Sequence, residues 1–148
     1  MDKALDWSIK EHLCNGKVVQ APTQGISMRP FIQGGHDKVL VRKQEEVSLG
    51  DIVMVPFHGK LILHRVYAIE GTKLILMGDG NLKGNEVVEQ SEVWGTAFEI
   101  IKPDGRRRKP HKAWFWRHLL PFRDILLKVC RKWYKLWNKN YEQANHRK

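Results

Sequence analysis

From Lys38 to Ile101 the chain is broken by turn signals every few residues, and no helical period survives between them. Lys38-Val39-Leu40-Val41-Arg42, Ile52-Val53-Met54-Val55, Lys60 to Ile69, Lys73 to Met77 and Glu92 to Ile101 read as strands. Ser48-Leu49-Gly50-Asp51, His58-Gly59 and Glu70-Gly71-Thr72 are the turns between them. Short strands joined by tight connections, with no room for crossover helices, leave an antiparallel β body as the fold class. Lys17 to Ala21 is a further β-prone segment, closed by Pro22. Ahead of it, Leu5, Ile9 and Leu13 recur every four residues, so a short helix is expected over 2–14, stopped at Asn15-Gly16.

Beyond Ile101 both composition and period change. Residues 101–148 carry 15 Lys/Arg against 3 Asp/Glu, whereas residues 1–100 carry 11 against 13, so the net charge of +10 resides in the tail. Lys102 to Lys112, with Pro103, Asp104-Gly105, Arg106-Arg107-Arg108-Lys109 and Pro110, reads as a basic linker. Leu119, Phe122, Leu126, Val129, Trp133 and Leu136 then alternate steps of three and four, the spacing of an amphipathic helix, with Pro121 placed for its first turn. The domain reading is therefore a β body over 1–101, a linker over 102–112 and a cationic aromatic helical tail over 113–148.

Such a tail has two readings: a helix packed on the β body, or one lying in a lipid interface with its cations toward anionic head groups. Arg106, Arg107, Arg108, Lys109, Trp116, Arg131, Lys132, Trp133 and Trp137 are the residues expected at a membrane or other anionic surface. Nucleic acid is the less favoured anionic partner. No apolar run approaches the roughly 20 residues that span a bilayer, and Met1-Asp2-Lys3-Ala4-Leu5-Asp6 lacks the layout of a secretory signal. The chain is expected in the cytoplasm, peripheral to the inner face of the membrane. Cys14 and Cys130 are too few and too far apart for a disulfide framework or a metal site, and neither a metal nor a cofactor is implied.

Within the β body three short segments carry chemistry. Gly25-Ile26-Ser27-Met28-Arg29-Pro30 sets a serine on a turn between apolar segments; Leu63-His64-Arg65-Val66 sets a histidine in a strand; Met77-Gly78-Asp79-Gly80-Asn81 sets a carboxylate in a glycine-rich turn. A serine hydroxyl barely ionises at neutral pH and must pass its proton to a base as it attacks. Histidine suits that task, and an acid that orients the imidazole completes the set. Gly25 permits close approach of another backbone, as a peptide substrate added as a strand would require.

Ser27-Met28-Arg29-Pro30, Gly50-Asp51-Ile52-Val53, Leu63-His64-Arg65-Val66 and Gly78-Asp79-Gly80-Asn81, in this order, resemble the superfamily of type I signal peptidases and LexA-like peptidases over about residues 20–100. Most bacterial signal peptidases and LexA-like proteins place a lysine base where this chain has His64; His-Arg-Val is similar to the branch typified by the endoplasmic-reticulum signal peptidase. The resemblance implies a serine endopeptidase with Ser27 as nucleophile, His64 as general base and the Ser27 backbone N–H as an oxyanion donor. It implies as substrate an extended leader or precursor peptide cut after a small residue. For the acid that orients His64, Asp79 comes first, Glu86 second, and Asn85 would be a neutral substitute. The competing reading is a non-catalytic binding module of the same fold that docks through the basic tail. A self-cleaving LexA-like regulator is disfavoured, since too little chain precedes Ser27 for a DNA-binding domain.

Overall fold

The computed structural model describes residues 3–81 and 84–145. It divides into two compact units, Met1–Trp114 and Phe115–Lys148.

The first unit opens with helix α1 (Lys3–Cys14), followed by strands β1 (Val19–Pro22), β2 (Lys38–Arg42), β3 (Ile52–Phe57), β4 (Lys60–Glu70), β5 (Lys73–Met77), β6 (Glu86–Glu89), β7 (Gly95–Ile101) and β8 (Arg107–Arg108). Among the described residues these form one antiparallel sheet in the order β1-β2-β7-β3-β4-β5-β6, with β8 on the far part of β7. The fold is thus mainly antiparallel β with a short N-terminal helix and a C-terminal helix, as the turn spacing led us to expect. Pro22 ends an edge strand, where its missing N–H costs no ladder bond. The β3–β4 hairpin closes on His58 and Gly59, both at positive φ (47° and 74°), the backbone of the tightest hairpin turns.

Strand alternation sends successive side chains to opposite faces, and β3 is buried on both. Ile52 and Met54 join Val39, Val41, Ile32 and Leu13 on one side. Val53 and Val55 join Val66, Leu74, Leu76 and Val88 on the other. Two apolar clusters therefore hold β3 and β4 between them, and this fixes the register of the strand that carries His64.

Three local features depart from the sequence reading. β6 was not expected, because Glu86-Val87-Val88-Glu89 buries only Val88 and begins and ends on glutamates suited to a sheet edge. β7 begins at Gly95 rather than Glu92, since Gln90–Glu92 form a 3-10 turn closed by reciprocal bonds between Glu89 and Glu92. The stretch 102–112, expected as a linker, is a hairpin held on the β body. Lys102 N–H donates to the Arg106 carbonyl at 2.8 Å, β8 pairs with β7, and Lys102 forms an ion pair with buried Asp37 at 2.6 Å. Its cations found acceptors nearby, so it folds back instead of extending.

The second unit contains most of α2 (Trp114–His118) and all of α3 (Leu120–Asn145), so the expected tail helix is broken once, at Leu119. Pro121 lies in the first turn of α3, where its missing N–H is harmless. Among the described residues no helix is long and apolar enough to cross a membrane.

Candidate active site

Ser27 lies on a turn whose base is the side chain of Met28, 5% exposed and packed in the core cluster that holds Ile32 and Met54. The turn closes through Arg29 N–H to the Ile26 carbonyl at 3.2 Å. Its outer side is pinned by the glycine-rich loop: Gly80 N–H donates to the Ser27 carbonyl at 2.7 Å. Two of that loop's glycines are required by distance. A Cβ on Gly78 would stand 2.3 Å from the Ser27 carbonyl oxygen, and one on Gly80 would stand 2.3 Å from that of Ile26. Gly-Asp-Gly is therefore a backbone-to-backbone clamp on the serine turn. Gly25 behaves differently from Gly34. It adopts φ 73° beside open space, whereas the tight approach is made at Gly34, whose Cβ would fall 2.0 Å from the Gly25 carbonyl.

His64 and Arg65 are neighbours on β4 and so leave the strand on opposite faces. Each meets a different acid. Nδ1 of His64 lies 2.9 Å from Oε2 of Glu86, with both side chains largely buried. Glu86 comes within reach by register, since Val66 pairs with Leu76 and Leu76 pairs with Glu86. That places the glutamate two strands from β4 on the face shared by His64 and Val66. Nδ1–H donating to the carboxylate leaves Nε2 with the lone pair, the tautomer a general base requires.

Arg65 is wholly buried, as is Asp79. The Arg65 guanidinium donates from Nε to both oxygens of Asp79 at 2.8 and 2.9 Å, and from Nη2 to Oδ2 at 2.7 Å. Its Nη1 donates to the Gly50 carbonyl at 2.8 Å and also to that of His111. Tyr67 O–H donates to Asp79 at 2.9 Å, and the guanidinium stands 5.3 Å from the centre of the Phe31 ring. A buried guanidinium without an acid would be costly, and Asp79 meets that need. This corrects the expected assignment: Asp79 is engaged by Arg65 and Tyr67, and Glu86 is the acid on His64. Asn85 is exposed.

Ser27 and His64 line one cleft of about 270 Å³. Its walls are mostly apolar: Met28, Ile32, Val39, Met54, Leu61 and Leu63 from the β body, with Leu5 and Ile9 from α1. The contribution of α1 was not legible in sequence, where Leu5 and Ile9 served only as part of the period of a short helix. Among the described residues no hydrogen bond joins Ser27 to His64, a contact that commonly tightens only when substrate is bound. The Ser27 backbone N–H likewise donates to no protein acceptor there, as an oxyanion donor requires. No group of three or more His, Cys, Asp or Glu among the described residues could hold a metal ion. Cys14 and Cys130 are free thiols.

The residues expected at an anionic surface separate into two sets. Arg106 forms a 2.6 Å pair with Asp104, Arg107 a 3.2 Å pair with Glu99, and Arg108 donates to the Phe31 carbonyl. These bonds hold the hairpin, and only Lys109 of that run is exposed without a protein partner among the described residues. The Asp104 carboxyl is held below its usual 3.8 by the backbone N–H of Arg106 and then by its side chain. Trp116 is buried, whereas Lys132, Trp133 and Trp137 are exposed and Arg131 half-buried.

The family model described as Peptidase S24-like matches residues 3–98, which takes in α1, the serine turn, His64, the glycine-rich loop, Glu86 and all but the end of β7. No curated protein gives a significant match to the chain.

Proposed function

The chain belongs to the Peptidase S24-like family, and from that premise we propose that it is a serine endopeptidase working through Ser27, His64 and Glu86. A peptide segment lies extended in the cleft beside Gly25. Ser27 Oγ attacks the scissile carbonyl carbon while its proton passes to Nε2 of His64. The resulting imidazolium is stabilised by Glu86 across the 2.9 Å contact at Nδ1. The negative oxygen of the tetrahedral intermediate is met by the Ser27 N–H. Collapse expels the amine, which takes the proton back from His64; water then gives a proton to His64 as it attacks the acyl carbon, and the bond to Ser27 Oγ breaks as Oγ takes that proton from His64, releasing the acid and restoring the site.

The observation that carries this reading is that His64, held by Glu86, lines the same cleft as Ser27. A histidine oriented by a carboxylate is suited to act as a base, and this supports placement in the histidine-base branch of the signal-peptidase-like enzymes. The substrate proposed is a leader or precursor peptide, cut after a small residue. Incubation with a library of extended peptides, read by mass spectrometry, tests the reading. Cleavage by the wild type, lost in Ser27→Ala and in His64→Ala, is the expected result. Cleavage retained in full by Ser27→Ala would refute the mechanism.

A further inference from the structure

Helix α3 presents an apolar face that its own unit leaves uncovered. Phe122, Ile125, Val129, Trp133, Leu136 and Trp137 are all exposed, the two tryptophans at 69%. At 100° per residue these six fall within an arc of about 120°, a continuous stripe about 22 Å long. Lys128, Lys132 and Lys135 are exposed along one margin of that arc. Between Phe122 and Trp137 the sequence holds five Lys/Arg and a single acid, Asp124.

We propose that α3 lies in the interface of an anionic lipid bilayer, its Trp/Phe/Leu stripe among the upper acyl chains and its lysines at the head groups. Charge selects this occupant. A second copy of the chain, docking by the same face, would set one lysine row against another with one aspartate per helix to offset it. A nucleic acid would engage the lysines but leave the apolar stripe in water. An anionic bilayer satisfies both sides of the helix, and tryptophan is a residue suited to that depth. The helix is too charged to span, so it lies along the surface.

The test is co-sedimentation of the full-length protein with vesicles of phosphatidylcholine alone and of phosphatidylcholine with about one-third phosphatidylglycerol. The wild type is expected to bind the anionic vesicles about tenfold or more in preference to the neutral ones. Trp133→Glu/Trp137→Glu and Lys128→Glu/Lys132→Glu/Lys135→Glu, each shown by circular dichroism to retain the wild-type helix and strand content, are both expected to lose that binding. Equal binding to both vesicle types, or none, would overturn the proposal. So would undiminished binding by the double tryptophan variant, which would reduce the effect to adsorption of a cation on any polyanion. A wild-type dimer that the tryptophan variant converts to monomer, with no lipid binding by either, would assign the stripe to a second copy.

Discussion

Glu86 and Asp79 are chemically alike and seven positions apart, yet the sheet gives them different partners. His64 and Arg65 leave β4 on different faces, and each acid answers the side chain that reaches it. The two acids should therefore fail differently. Glu86→Gln keeps the fold but removes the charge that stabilises the imidazolium, and the rate of peptide cleavage is expected to fall about 10- to 100-fold with an unchanged melting temperature. Asp79→Asn leaves a buried guanidinium uncompensated and is expected to cost about 3–5 kcal/mol, read as a lowered denaturant midpoint. If Asp79→Asn were as stable as wild type and merely slow, the division of labour would be reversed. The turn of Ser27 and the strand of His64, which meet at one cleft, were legible in the sequence because each is a short motif of its own. The acid was not, because its identity depends on the register of β6 and on which face of β4 His64 takes, and neither quantity is written in the local pattern.

At the level of elements, the site depends on the contact between the 26–29 turn and the loop carrying Gly78 and Gly80. Gly80→Ala would drive a methyl to 2.3 Å from the Ile26 carbonyl. Relieving that overlap must separate the loop from the serine turn, and we expect a loss of about 1–3 kcal/mol together with reduced reactivity of Ser27, measured by chemical denaturation and by acylation rate. The β8 hairpin is a milder case. The lowered carboxyl of Asp104 gives a stabilising contribution that is present above pH 3.8, its unfolded value, and is lost as the pH falls through the lower folded value. Because Asp104 is exposed, Asp104→Asn should leave the neutral-pH melting temperature nearly unchanged. The long strands β4 and β5 were readable from their Val, Ile and Leu content. β6 and β8, at four and two residues, were not: each is held by its neighbour in the sheet rather than by a pattern of its own. The helical period of α3 was clear in sequence, but the hairpin before it was hidden, since the Lys102–Asp37 ion pair and the bond from Arg108 to the Phe31 carbonyl join residues far apart in the chain.

For the whole molecule, the family match, the cleft and both apolar clusters lie within Met1–Trp114. A chain ending at Trp114 should therefore fold and cleave soluble peptides at a rate within about twofold of the full protein, because no residue of the site is removed. The net charge of +10 was legible from composition, but its partition between a hairpin occupied with internal pairs and a helix with exposed lysines required the fold. The proposed activity requires Ser27 to be activated by a histidine that Glu86 holds. The most direct measurement is intact-mass labelling by a penem-type acylating inhibitor, compared across wild type, Ser27→Ala, His64→Ala and Glu86→Gln. One adduct is expected on the wild type, none on Ser27→Ala or His64→Ala, and slowed formation on Glu86→Gln. An adduct that persists in His64→Ala at the wild-type rate, or no adduct on the wild type with peptide cleavage also absent, would contradict that activity.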